Sequence, residues 1–279
     1  MRHVRLIAGF GAVVLVAVAV LVAAGTGLGP QGGRPAPPPA PSTAPSSCHR
    51  IAVPAYFDPT DSGAWPTVTS AGARVAYVIM NPGNGPGRTR DPTYSAAVRR
   101  SRAAGQRVLG YVPTNYGRRP ASAVRADIAR YREWYGVRNI FLDEAPTRRG
   151  RLATYRSYAA SIHAGGGIVV LNPGTLPARS YFGAADAVVT FDGPARAYER
   201  SADTPAWLER IPRAKVWTMV MATTGAALER VLATARSRHA GLVYVTDDRP
   251  PNPWDRLPTY WSHELHTASR SCPVGVGSH

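Results

Sequence analysis

The chain has 279 residues, 44% of them hydrophobic, and 33 Lys or Arg against 17 Asp or Glu give it a formal charge of +16. That is enough apolar material for one large core. The positive charge is nearly all arginine, Lys215 being the single lysine, and it is spread over helix faces with no basic block interleaved with aromatics, so nucleic acid is not an expected partner.

Two arginines in Met1–Arg5 precede an uncharged run from Leu6 to Leu28. A run of this length is enough to span a membrane, and the arginines before it place the N-terminus inside and the rest outside. Small residues at Val22-Ala23-Ala24-Gly25 also offer a cleavage site, so residues 1–28 read as a signal peptide or a membrane anchor, and the protein as exported. Residues 29–47 are rich in Pro, Ala, Gly and Ser, with Pro37-Pro38-Pro39 at the centre. Such a segment builds no core and favours an extended stalk. The folded domain is expected from 48 to 279. Its edges carry the only cysteines, Cys48 and Cys272, and in an exported chain such a pair predicts a disulfide joining the two ends of the domain.

From there apolar strand-like runs alternate with amphipathic helical ones. Strands are predicted at Ile51–Tyr56, Arg74–Met80, Arg107–Val112, Asn139–Leu142, Ile168–Leu171, Ala187–Phe191, Val216–Met221 and Leu242–Thr246. Helices are predicted between them at Trp65–Ala71, Tyr94–Ala104, Ala121–Tyr135, Leu152–Ala164, Pro177–Phe182, Pro205–Arg210 and Gly225–Arg238. The third helix shows the period best, with Val124, Ile128, Tyr131 and Tyr135 at three- and four-residue steps. Eight strands with crossovers in this length fit an α/β fold of the single (β/α)8 TIM-barrel type. A doubly wound open sheet is the alternative, but it does not require the ends of the domain to meet.

Polar residues, aromatics and turn formers gather where the predicted strands end. They include Tyr56-Phe57-Asp58, Asn81-Pro82-Gly83, Tyr111 to Gly117, Asp143-Glu144, Asn172-Pro173-Gly174, Phe191-Asp192 and Asp247-Asp248. In a barrel these positions share the face where chemistry is placed. Tyr56, Tyr111 and Tyr116 offer walls of the kind on which sugar rings stack, and Asn81 and Asn172 recur at strand tips as hydrogen-bonding groups. Each Asn-Pro-Gly is also an ordinary turn former.

The fourth strand runs Ile140-Phe141-Leu142 straight into Asp143 and Glu144, and Pro146 stops it. Asp143 shares parity with Phe141, and Glu144 with Leu142, so only one of the acids points into the mouth. Capping of the next helix is a structural role open to Glu144. Asp192 ends the sixth strand, two strands away, which predicts carboxyls ~5–9 Å apart, the range glycosidases use. The seven histidines avoid the strand ends, and there is no Gly-x-Ser-x-Gly elbow or phosphate loop, so neither a metal nor a cofactor is expected.

With these motifs in order, the sequence resembles the spherulation-specific family 4 (spherulin-4-like) proteins. The resemblance rests on Val53-Pro54-Ala55-Tyr56, Asn81 to Gly87, Leu109 to Gly117, Asp127-Ile128 with Trp134-Tyr135, Ile140 to Glu144, Leu171 to Gly174 and Val189 to Asp192. It implies a barrel-fold glycoside hydrolase acting on α-1,4-linked N-acetylgalactosamine or galactosamine polymers. It further implies Asp143 as nucleophile or base, Asp192 as acid/base and Glu144 as an orienting or auxiliary acid. Tyr56, Asn81, Tyr111, Thr114, Tyr116, Asn172, Asp247 and Asp248 would line the sugar sites. The family commonly has Phe-Glu after the sixth strand where this chain has Phe191-Asp192. A catalytically inactive carbohydrate-binding or envelope protein with the same cleft is the competing reading, and a polyanion binder, suggested by the charge, is the third.

Overall fold

Runs of Val, Ile, Leu and aromatic residues bounded by Gly, Pro and Asn become eight parallel strands that close on themselves in sequence order. The computed structural model describes residues 48–60, 63–201 and 204–270. The leader or anchor predicted at 1–28, the stalk predicted at 29–47 and Cys272 lie outside the described residues. The strands are β1 Arg50–Ala55, β2 Val75–Met80, β3 Arg107–Pro113, β4 Asn139–Asp143, β5 Val169–Leu171, β6 Ala187–Pro194, β7 Val216–Met221 and β8 Leu242–Val245. Closure is made where Arg50 pairs with Leu242 and Ile51 with Val243. The barrel therefore replaces the open-sheet alternative.

Around it run the helices α1 Ala64–Ser70, α2 Pro92–Ala103, α3 Ala121–Tyr135, α4 Leu152–Ala164, α5 Ala195–Arg200, α6 Leu228–Ser237 and α7 Trp261–Ser269. None of the described helices is long and apolar enough to cross a membrane. The bounds of α3 and α4 coincide with those predicted, because both carry a clear apolar stripe: Val124, Tyr131 and Tyr135 on one, Tyr155, Tyr158 and Ile162 on the other. Two predicted helices are corrected. Pro177–Phe182 and Pro205–Arg210 give only the 3-10 turns Arg179–Gly183 and Ala206–Arg210. Five residues leave almost no i→i+4 ladder to sustain an α-helix. Conversely α5 and α7 were not anticipated. In α7 the buried stripe is Trp261, Glu264, Leu265 and Ala268, and the acid within it masks the helical period.

The barrel interior is filled by large rings rather than by aliphatic layers alone. Trp217 lies edge-on to Phe141 at 5.6 Å, Phe141 stacks on Tyr111 at 6.4 Å, and Tyr111 meets Tyr56 edge-on at 5.4 Å. This column rises from the middle of the barrel to the C-terminal ends of the strands. It is the floor on which the polar residues rest.

Candidate active site

β4 alternates as its parity demands. Ile140 and Leu142 face the helices, while Phe141 and Asp143 face inward, with Phe141 in register with Tyr111 and Asp143 with Pro113. The half-buried Asp143 carboxylate takes two side-chain donors, Tyr111 Oη–H at 2.8 Å on Oδ2 and Asn172 Nδ2–H at 2.8 Å on Oδ1.

Asp192 reaches the same space by a different route. Val189 pairs with Trp217, but Phe191 pairs with Thr218 and Asp192 with Met219, a bulge that inserts one residue into β6. On a regular strand Val189 and Asp192, three apart, would face opposite ways. The extra residue turns Phe191 outward onto Tyr198, at 4.6 Å between rings. Asp192 turns inward, and its Oδ2 accepts the other hydrogen of Asn172 Nδ2 at 2.9 Å.

Asn172 is thus the link between the two acids. Its amide orientation is fixed because Oδ1 accepts Gly174 N–H at 2.9 Å, leaving the NH2 to the carboxylates. Gly174 in turn holds the backbone N–H of Asp192 through its carbonyl at 2.9 Å. The Asn172-Pro173-Gly174 turn therefore sets both ends of the pair. One trigonal nitrogen donating to both at those lengths leaves the two bonded oxygens about 5 Å apart.

The environment separates the two carboxyls electrically. Burial raises both above the usual carboxylate range, and a neighbouring negative charge adds to it, that of Glu144 on Asp143 and that of Asp143 on Asp192. Asp143 has three donors that favour its charged form, the Tyr111 hydroxyl, the Glu144 backbone N–H and the Asn172 amide, whereas Asp192 has only the Asn172 amide to offset burial, and it is pushed up to about 7. This asymmetry in donors favours the charged form of Asp143 over that of Asp192. The Tyr111 hydroxyl is held protonated, by burial first and then by the charge of Asp143, and so remains a donor. The same two causes act on Tyr56.

Both acids open into a cleft of about 390 Å³ lined by Tyr116, Asp143, Glu144, Asn172, Asp192 and a β8–α7 lip of Pro250, Pro251, Pro253 and Trp254. Glu144 has a left-handed backbone, φ 50°, and its Oε2 accepts Asn115 N–H at 3.0 Å. Thr114 is buried beneath, its hydroxyl donating to the carbonyls of Asp143 and Glu144. Tyr116 stands 51% exposed at the mouth, the one large apolar side chain so exposed among the described residues.

The remaining predicted residues are placed elsewhere. Asn81 Oδ1 accepts Gly85 N–H at 2.9 Å and folds its own turn. Asp247 is engaged by Arg256 at 3.0 Å and by the Thr259 hydroxyl, and Asp248 lies 3.2 Å from Arg256. They brace the lip and are not among the residues lining the cleft. The lip itself escaped sequence reasoning, although Pro250-Pro251-Asn252-Pro253-Trp254 follows β8 directly. Tyr56 N–H donates to Trp254 O at 3.1 Å, which ties this lip to the end of β1.

Residues 50–268 match the model of the spherulation-specific family 4. The chain belongs to that family. It is 31% identical over 214 residues to Spherulin-4 of Physarum polycephalum, a match covering 71% of this chain and 63% of the Physarum protein. It also resembles Sph3 of Aspergillus clavatus, solved in complex with GalNAc, at 26% identity and a TM-score of 0.69, over 80% of this chain and 98% of the other. A class V chitinase of Pseudomonas fluorescens shares the fold at 10% identity and a TM-score of 0.53, over 79% of this chain and 99% of the other.

Proposed function

We propose that this protein is an exported glycoside hydrolase that cleaves an amino-sugar polysaccharide, of the α-1,4-linked N-acetylgalactosamine or galactosamine type, through the pair Asp143 and Asp192. The observation that carries the reading is the Asn172 amide, which bridges the two carboxyls at the mouth of the barrel and leaves their bonded oxygens about 5 Å apart. That spacing is the retaining one: an inverting pair stands ~6.5–9.5 Å apart to admit a water between acid and sugar. The GalNAc bound to Sph3 supports the sugar class, and the uncharged run Leu6–Leu28 supports export.

In the first step Asp192 gives its proton to the glycosidic oxygen, so the departing chain leaves as a neutral hydroxyl. Asp143 attacks the anomeric carbon from the opposite face and forms a glycosyl ester. In the second, Asp192, now a carboxylate, takes a proton from water, and the water oxygen displaces Asp143. Tyr111 and Asn172 aim Asp143 and favour its charged form before attack and after its release.

Asp143→Asn preserves shape and most hydrogen bonds but removes the nucleophile's charge. Release of oligosaccharide from N-acetylgalactosamine and galactosamine polymers is expected to fall by roughly 10³-fold or more, with folding and glycan binding retained. Wild-type turnover by Asp143→Asn refutes the mechanism. Binding without release by the unaltered protein makes the cleft a carbohydrate-binding site instead.

A further inference from the structure

Glu144 is the third acid of the cleft, and its surroundings differ from those of the other two. Its carboxylate touches neither Asp143, Asp192 nor Asn172 through any hydrogen bond; its Oε2 accepts the backbone N–H of Asn115. Its backbone carbonyl accepts Tyr116 N–H at 2.6 Å. Both partners belong to the turn after β3, where Asn115, Tyr116 and Gly117 are successively left-handed, with φ of 47°, 54° and 77°. Two consecutive residues with a Cβ in that region are strained and persist only where neighbours over-determine them.

The neighbours here are specific. Glu144 holds the turn from one side, and Arg118 holds it from the other, donating to Asn115 Oδ1 at 2.8 Å. The Arg118 guanidinium also lies over one face of the Tyr116 ring, 5.6 Å from its centroid. With that face occupied, the ring, half exposed and lining the cleft that holds both aspartates, has its other face for a ligand. An aromatic face beside paired carboxyls is suited to the C–H face of a pyranose.

We infer that Glu144 is a positioning residue rather than a proton donor or nucleophile: it locks the strained Asn115-Tyr116-Gly117 turn so that the Tyr116 ring stands over the cleft as a sugar platform. The sugar class rests on the function proposed above. The positioning role rests only on the geometry of the turn. A positioning carboxylate needs an acceptor oxygen, which glutamine also has, whereas an acid/base needs the titrating proton.

The test uses kcat and KM on an α-1,4-linked N-acetylgalactosamine oligosaccharide, with binding measured by calorimetry in the Asp143→Asn background. Tyr116→Ala is expected to weaken binding and raise KM about 10-fold, the loss of one stacking face. Glu144→Ala is expected to do the same, and Glu144→Gln to rescue most of that loss with the pH profile of kcat unmoved. The double variant Tyr116→Ala/Glu144→Ala is expected to bind no more weakly than Tyr116→Ala alone, because Glu144 acts through the ring. A fall in kcat of about 100-fold or more in Glu144→Gln, the range of a lost acid/base, overturns the inference. Additive losses in the double variant overturn it as well. If the unaltered protein binds the oligosaccharide but never cleaves it, the hydrolase reading fails while the binding comparison still decides the role of Glu144. If Glu144→Ala does not fold, the Glu144→Gln and Tyr116→Ala measurements decide it.

Discussion

Asn172 directs every side-chain hydrogen bond it makes to the site: both amide hydrogens go to carboxylates and its oxygen accepts Gly174 N–H. The consequence is a pH dependence with a defined sign. In the proposed mechanism Asp192 carries a proton in the first step, and burial pushes it up to about 7. Activity is therefore expected to fall as pH rises through about 7 and to fall again on the acid side as Asp143, also raised, is protonated. The pH profile of kcat/KM should peak on the acid side of neutrality, and a profile flat from pH 6 to pH 9 sinks the assignment of Asp192 as acid. The same shift acts on stability. Below the unfolded value of 3.8 Asp192 is neutral in both states, and above about 7 the folded state must bear a buried charge. Its raised value thus favours folding least at high pH. Asp192→Asn should consequently raise the melting temperature at pH 8 relative to the unaltered protein, with the difference shrinking toward pH 4. A pH-independent difference contradicts the buried charge.

Helix α3 and strand β3 meet without a spacer. At Gly110 an added Cβ would stand 2.5 to 2.7 Å from the Tyr131 ring carbons, and the Tyr131 hydroxyl donates to Met80 O at 3.3 Å. Gly110→Ala is expected to cost about 1–3 kcal/mol, the range for overpacking a filled core, in urea unfolding at unchanged m-value. Gly150→Ala, which meets nothing within 4 Å, should stay within about 0.5 kcal/mol; equal effects from both would refute the close-approach argument. These elements also mark what the sequence made legible. β4 read plainly because apolar residues ran into acids with intact parity, and α3 because Val124, Ile128, Tyr131 and Tyr135 keep the helical step over fifteen residues although Asp127 is buried among them. The pairing of Asp143 with Asp192 was legible as strand spacing. The bulge that aims Asp192 was not, since parity counted along β6 assumes a regular strand and Thr190-Phe191 carries no glycine to announce the extra residue. Asp247 and Asp248 looked like site residues by position. Their role turns on Arg256, eight and nine residues further on, a contact that only the folded loop creates. Asn81 and Asn172 show the same limit, for two identical Asn-Pro-Gly tripeptides carry one self-contained cap and one bridge between the two aspartates.

A closed barrel must be sealed between its first and last strands, and here the seal is short. β1 and β8 share two paired positions. The seam is extended by Arg50 N–H to Gly241 O at 2.9 Å and by His49 N–H to Ala268 O at 3.0 Å, which sets the chain just before β1 against the end of α7. No cysteine is free among the described residues. The proposed Cys48–Cys272 disulfide would therefore tie the strand that opens the barrel to the chain leaving its last helix, on the side of the molecule away from the strand tips. It would close a loop of roughly 220 residues, for which chain entropy allows about 5 kcal/mol. Loss of a native bridge of this kind, taken at about 2–5 kcal/mol, should lower the melting temperature by roughly 5–15 °C in a domain of this size. Because Asp143, Asn172 and Asp192 sit at the other end of the strands, kcat and KM measured well below that transition should be unchanged by reduction. Maleimide labelling before and after reductant checks the premise directly, and melting curves with and without it check the magnitude. If both cysteines of the exported, unreduced protein take the label, the seam is held by hydrogen bonds and packing alone, and the predicted drop in melting temperature must vanish with the bridge.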